Sequence, residues 1–283
     1  MIARLLALFF GLFFSLAYGL DSTLQAGVTS FSISETIDNQ TVDRAVIIQA
    51  PSTISTDTQY PIVISLHGHG GTAQTFVNLF SDAVDTYQFV GVYPQGYNNS
   101  WDLGGKHESD ADDYAFIDTI VTTLKQLPQL KNSPIYVVGF SNGALLANEL
   151  AVEKPYITAI AAFSSNLLSN EQPTDTTKPT SVLLVRGLKD SIIPNGGGYD
   201  ELVDHDFLST KDTLSTWAAN NHCTTEPNRT LTDYGNIKIT YGNCVNDTEV
   251  VGYLCPQCGH GIPDDMEGDK LALIFNFFKN HRH

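Results

Sequence analysis

Short runs of nearly unbroken apolar residues alternate along this chain with longer segments of helical periodicity. The runs at 62–66 (IVISL), 89–93 (FVGVY), 135–138 (IYVV), 160–163 and 182–185 offer almost no polar side chain to either face. That is the pattern of strands covered on both sides, in a mostly parallel sheet. An early strand is predicted at 45–48 and late ones at 237–241 and 250–253. Helical spacing predicts helices over 115–127, 142–152, 208–219 and 270–279, with Asp112 or Asp113 available to cap the first. Trp217 falls on the core side of the third. The segment 94–112 is irregular and rich in Gly, Asn and Asp. Strands alternating with helices predict an α/β fold, a mostly parallel central sheet with helices on both faces.

One turn in this alternation carries chemistry. Gly139-Phe140-Ser141-Asn142-Gly143 sits between the strand IYVV and the helix ALLANELA. A tight strand-to-helix turn projects a serine hydroxyl from the end of the sheet. The flanking positions must be glycine, because a Cβ there meets the neighbouring strand and helix. The helix amino terminus then offers free N–H groups to an anion. The plain alternative is an ordinary Ser-Asn-Gly turn.

A serine hydroxyl needs a base to take its proton, and the base needs orienting. Behind this kind of turn the acid and the histidine follow in chain order, each after a late strand. Asp190 ends the loop after 182–185, and His260 stands between two glycines after 250–253. Ser141, Asp190 and His260 are therefore the expected catalytic set. His107 lies in the loop after the third strand and precedes the serine. His205 and His222 fall in or near the helix before the last strands and read as surface residues, as Asp204 and Asp206 do; His281 and His283 fall in the terminal tail.

The oxyanion of acyl transfer needs two fixed donors. The N–H of Asn142 is one. The other is expected from the loop His67-Gly68-His69-Gly70-Gly71 after IVISL, at His69 with Gly70 as its rival. That loop also reads as a tight turn, or as a His67/His69 metal pair that lacks a carboxylate or cysteine to complete it. No metal and no cofactor are expected. Substrate contacts are sought at the carboxyl ends of the strands: Trp101, Ile192 and Ile193, with Trp101 equally fit to anchor a long loop in the core.

The amino terminus changes the picture of where this happens. A basic start, an apolar stretch from Leu5 to Leu16 and small residues at Ala17 and Gly19 predict a signal peptide over 1–19, with one catalytic domain over 20–283 and a secreted product, extracellular or periplasmic. An oxidising compartment makes the four cysteines two disulfides in one of three pairings, of which Cys223–Cys244 with Cys255–Cys258 is preferred. A redox or zinc role for Cys255-Pro256-Gln257-Cys258 is the weaker reading. Sequons begin at Asn39, Asn98, Asn228 and Asn246 and matter only in a host that glycosylates. A formal charge of −16 excludes a nucleic-acid partner and disfavours anionic substrates.

Several strings, in this order, resemble the secreted esterase family that includes feruloyl esterases and polyhydroxybutyrate depolymerases: PIVISLHGHGGTAQTF, GVYPQGYNNSWD, DDYAFIDTIV, VVGFSNGALLANELA, VRGLKDSIIPNGGG and CGHGIP. The resemblance implies the α/β-hydrolase fold, catalytic roles for Ser141, Asp190 and His260, a Cys223–Cys244 bond and a place for Trp101 near the cleft. Two features depart from it. Gly261-Ile262-Pro263 stands where many relatives have tryptophan-proline, and the Cys255–Cys258 pair is not a family feature. The expected activity is hydrolysis of carboxylic esters by a monomer without a membrane partner. Acyl esters of plant polysaccharide or its soluble fragments come first as substrate. Polyhydroxyalkanoate polyester is the alternative, followed by a peptidase, an acyltransferase or an inactive binding protein.

Overall fold

The computed structural model describes residues 17–18, 20–104, 109–201, 203–264 and 268–282. The signal peptide expected over 1–19 lies outside them, apart from the backbone of 17–18, as do His107 and His283. The amino-terminal strands are β1 (Ala17–Tyr18), β2 (Gly27–Ile37), β3 (Gln40–Ala50), β4 (Ile62–Leu66) and β5 (Val90–Pro94). Then come β6 (Ile135–Phe140), β7 (Ile157–Phe163), β8 (Ser181–Gly187), β9 (Gly198–Asp200) and β10 (His205–Phe207). The last are β11 (Asn228–Leu231), β12 (Ile237–Tyr241) and β13 (Val250–Cys255). The helices are α1 (Ala73–Leu79), α2 (Ala83–Tyr87), α3 (Asp113–Leu124), α4 (Asn142–Glu153), α5 (Thr210–Asn220) and α6 (Lys270–Asn280).

Among the described residues, eleven strands form one sheet in the order β1-β2-β3-β5-β4-β6-β7-β8-β13-β12-β11. The neighbours from β5 through β13 are parallel, and the strands at both ends are antiparallel. The central runs are continuously apolar because successive residues serve opposite faces. On β4, Ile62, Ile64 and Leu66 belong to the core cluster that includes apolar residues of α3, α4 and α5, and Val63 belongs to the cluster on the other face with residues of α1, α2 and α6. Asp112 caps α3, its Oδ1 accepting from Ala115 N at 2.9 Å, while Asp113 turns inward to Arg44. Trp217 is fully buried and donates to Asn148 Oδ1 at 3.1 Å.

Other elements depart from the pattern-based expectation. β2 was not anticipated; it pairs along its whole length with β3 through a turn at Asp38 and Asn39, both at positive φ. The early strand at 45–48 is the buried end of the longer β3. His281 is packed instead of sitting in a loose tail: Nδ1 lies 2.7 Å from Phe277 O, and its carbonyl accepts from Tyr136 Oη at 3.0 Å. Cys223 is bonded to Cys244 and Cys255 to Cys258. Among the described residues no helix is long and apolar enough to cross a membrane.

Helix α4 is buried from Gly143 to Val152, and the burial includes a carboxyl group. Glu149 is 4% exposed. Its Oε2 accepts from Tyr114 Oη, and among the described residues its Oε1 has no partner. Burial pushes its pKa up to about 7, the charges of Glu171 and Glu153 push the same way, and the Tyr114 hydrogen bond opposes them. A carboxyl with a raised native pKa favours the fold below its ordinary value of 4.5 and loses that contribution as pH rises towards 7. The loss amounts to about 3 kcal/mol at 1.36 kcal/mol per pKa unit. Glu149→Gln is therefore expected to be more stable than the parent at pH 8, with the difference shrinking towards pH 4.5. Urea midpoints measured across that range check it; a difference that is constant with pH would contradict the assignment.

Candidate active site

Ser141 occupies the turn between β6 and α4 with φ 54° and ψ −119°. Such a conformation costs on the order of 1–3 kcal/mol in a non-glycine residue and persists only where the surroundings enforce it. Three backbone hydrogen bonds enforce it here: Ser141 N donates to Phe163 O at 2.9 Å, and Ser141 O accepts from Ala144 N and Leu145 N at 2.8 and 3.1 Å. The flanking glycines are sterically required. A Cβ on Gly143 would stand 2.2 Å from Leu66 O, and one on Gly139 would stand 2.2 Å from Gly143 O.

Asp190 and His260 arrive on the loops that follow β8 and β13, which are adjacent parallel strands. Leu188 N donates to Cys255 O at 2.8 Å and Lys189 N to Cys258 O at 2.9 Å, joining the two loops backbone to backbone. The Cys255–Cys258 bond closes the turn that supplies both acceptors. Ser164, at the end of β7, holds the far side of the histidine: its hydroxyl lies 2.7 Å from Gly261 O and 3.0 Å from Gly261 N.

The three side chains meet. His260 Nε2 is 2.9 Å from Ser141 Oγ, and His260 Nδ1 is 3.1 and 3.0 Å from the two oxygens of Asp190. The Asp190 side chain is wholly buried. It accepts from the backbone N–H groups of Ile192 and Ile193 at 2.9 and 3.0 Å. Arg186 Nη2, also wholly buried, stands 3.5 Å from its Oδ2. These contacts fix the Asp190 side chain in place against the imidazole. The Arg186 guanidinium is in turn positioned by Ile193 O at 2.6 Å, and burial lowers its pKa to about 10 against the opposing pull of Asp190.

Asn142 opens α4 directly after the serine. Its side chain clamps the loop from β5: Oδ1 accepts from Trp101 N at 2.8 Å, and Nδ2 donates to Trp101 O at 3.1 Å. His69 stands on the loop after β4, the strand beside β6. The N–H of Gly70 is given to Asn99 O at 2.7 Å, which removes Gly70 as an oxyanion donor. His67 is interior: Gly96 N donates to its Nε2 at 3.0 Å, so Nδ1 carries the proton and donates to Gly68 O at 2.8 Å. Burial lowers its pKa. Among the described residues no group of three or more His, Cys, Asp or Glu side chains is placed to hold a metal ion.

A cavity of about 380 Å³ opens beside Ser141. Trp101, Ile192 and Ile193 all line it. Trp101 is also anchored in the core, being 1% exposed, and its indole N–H donates to His67 O at 2.7 Å. Ile193 is buried with Leu145, Leu168 and Phe207. Phe140, Leu145, Val203 and His205 complete much of the wall and were not anticipated. His205 was expected at the surface near a helix. It instead opens β10 in a short hairpin that the apolar pattern does not reveal.

Comparison with known proteins gives the family and the fold. Residues 48–226 match the model of the phospholipase/carboxylesterase family, a span that includes Ser141 and Asp190 and ends before His260. The chain is 27% identical over 58% of its length to the protein named "Probable acetylxylan esterase A" of Neosartorya fischeri, and that match spans 47% of the relative. It is 23% identical to the "Probable feruloyl esterase C" of Aspergillus oryzae over 81% of both chains. Among solved structures, the acetyl xylan esterase from Aspergillus awamori superposes with a TM-score of 0.60 over 83% of this chain and 94% of that one, at 16% identity. The chain belongs to the phospholipase/carboxylesterase family and has the α/β-hydrolase fold.

Proposed function

We propose that this chain is a secreted serine carboxylic-ester hydrolase with Ser141 as nucleophile, His260 as general base and acid, and Asp190 as the group that orients the imidazole. The observation that carries the reading is the 2.9 Å approach of His260 Nε2 to Ser141 Oγ, with Nδ1 on the Asp190 carboxylate. In this geometry His260 takes the proton from Ser141 as Oγ attacks the ester carbonyl. The backbone N–H groups of Asn142 and His69 are the donors proposed for the oxyanion that forms. His260 then gives its proton to the leaving alkoxide, and a water deprotonated in the same way releases the acid and restores the serine.

The substrate proposed is an acyl ester on plant polysaccharide or a soluble fragment of it. The names of the relatives at Neosartorya fischeri and Aspergillus oryzae support that class, and an apolar cleft beside the serine suits an aryl or alkyl acyl group. Export is supported by the leader-like sequence at 1–19 and by two disulfides. The sequon asparagines Asn39, Asn98, Asn228 and Asn246 are all exposed, open to glycans in a host that adds them.

The test is a fluorophosphonate probe followed by peptide mapping, run beside hydrolysis of methyl ferulate, p-nitrophenyl acetate, acetylated xylan and a polyhydroxybutyrate suspension. One label per chain is expected, on the peptide containing Ser141, together with turnover of at least one soluble ester. A protein that neither takes the label nor hydrolyses any ester would overturn the proposal.

A further inference from the structure

Among the described residues, the polar side chains that line the cleft are, with one exception, already engaged. Ser141 and His260 face each other, the Asn142 amide holds the backbone of Trp101, and His69 Nδ1 lies 3.1 Å from Ser100 Oγ. The exception is His205. Its ring touches the edge of Phe207 at 6.2 Å between centroids, and among the described residues no hydrogen bond to its nitrogens is present.

The position of that ring is fixed. β10 pairs with β9 on one side, His205 opposite Asp200. On the other side Ser169 N donates to Asp206 O at 2.8 Å and Leu208 N to Leu167 O at 2.9 Å. Phe207, 2% exposed, anchors the strand among Leu145, Leu168 and Ile193. A half-buried imidazole is thus held at the wall of the cavity with its hydrogen-bonding capacity open to a ligand, and a ligand that displaces water from the ring without replacing its hydrogen bond pays for the loss.

The chemistry of the ring defines its partner. Burial lowers the pKa of His205 against the opposing charge of Asp204, so the neutral imidazole prevails at pH 7. A neutral ring presents one donor and one acceptor, which matches a hydroxyl group; an anionic group would find no positive charge there. The cavity, at about 380 Å³, falls near the lower end of the roughly 300–1,000 Å³ of small-molecule sites. A site of that size suits one acyl group, and the acyl part is the part of an ester that becomes attached to Ser141.

We propose that His205 is a specificity-determining residue that recognises a hydroxyl on an aryl acyl group seated in the cleft. This rests on the ester-hydrolase reading above. Discrimination of this kind is large, because an analogue that lacks the hydroxyl covers the ring and leaves it unpaired.

The experiment compares kcat/KM for methyl ferulate with that for its O-methylated analogue, whose phenolic hydroxyl is blocked, in the parent protein, His205→Leu and His205→Gln. Hydrolysis of p-nitrophenyl acetate by each variant reports whether the triad is assembled. The parent is expected to prefer methyl ferulate by at least about tenfold. In His205→Leu the ratio should fall towards one, and His205→Gln, which keeps a donor and an acceptor, should recover part of it. A purely structural role for His205 would lower both rates together and leave the ratio where it was, which would overturn the proposal. So would a parent that shows no preference between the two esters, or one that hydrolyses p-nitrophenyl acetate and neither aryl ester. A parent inactive on all three esters would remove the ester-hydrolase reading itself.

Discussion

Ser141→Ala is expected to reduce kcat for any ester substrate by a factor on the order of 10⁴–10⁶ and to abolish labelling by a fluorophosphonate, while leaving the fold intact. The size of the effect follows from the chemistry. Without Oγ there is no covalent intermediate, so His260 has no proton to take from the chain. What remains is the binding of substrate and the oxyanion donors, which by themselves retain a modest acceleration over water. The preservation of fold follows from the contacts. Ser141 Oγ has His260 Nε2 as its hydrogen-bonding partner at 2.9 Å, and the turn is held by backbone bonds to Phe163, Ala144 and Leu145 that alanine keeps. The variant should therefore unfold within about 1 kcal/mol of the parent, the range of one neutral hydrogen bond. Steady-state rates and a urea melt on the same preparation check both halves. Turnover retained near the parent level in a verified Ser141→Ala sample would mean that another residue attacks the ester.

The parts of this site that the sequence reveals are those with a local cause. The strand β6, the glycines at 139 and 143 and the helix α4 follow one another without interruption, so the turn at Ser141 is readable from spacing and apolar pattern alone. Asp190 and His260 each follow an apolar strand, and chain order picks them out. What escaped was carried by weak local signals or by long-range contact. α1 and α2 are seven and five residues long, too short for helical periodicity to show. β2 does carry a signal: Phe31, Ile33 and Ile37 are buried while the residues between them are mostly polar, and Asp38-Asn39 suits a hairpin turn. Attention to two-residue alternation would have found it. The hairpin of β9 and β10 has three residues per strand and no apolar alternation, and His205 was misplaced with it. Ser164 and Arg186 could not have been found from the pattern. Ser164 acts on His260 through the backbone of Gly261, and Arg186 meets the Asp190 carboxylate directly through a side chain whose direction the apolar pattern does not give.

The same distinction between local and remote causes governs the second large effect, at Arg44. Arg44→Met is expected to destabilise the protein by about 3–5 kcal/mol, the cost of removing one partner from a buried ion pair. Arg44 is 3% exposed on β3. Its Nη2 lies 2.5 Å from Asp113 Oδ1 and its Nη1 lies 3.1 Å from Glu35 Oε2. Its guanidinium carbon stands 3.6 Å above the Phe116 ring. Burial raises the pKa of both Asp113 and Glu35, and Arg44 is the main opposing influence on each. Without it the two carboxyls rise further. Each then contributes fully only when protonated, below its unfolded value, and loses that contribution as pH rises through its folded pKa. The destabilisation should accordingly be smallest near pH 4 and grow towards pH 7. Urea midpoints at the two ends of that range check the sign, and a deficit that shrinks with rising pH would refute it. Adding Glu35→Gln and Asp113→Asn should recover part of the loss, since no unpaired carboxylate remains. The network also reaches the cleft: Asp113 Oδ2 accepts from Asp102 N at 2.6 Å, and Arg44 Nε donates to Gln95 O at 3.3 Å, bracketing the loop that carries Trp101. An Arg44→Met protein folded at low temperature should therefore bind aryl esters with a raised KM, because the wall of the cleft depends on an ion pair on the far side of that loop.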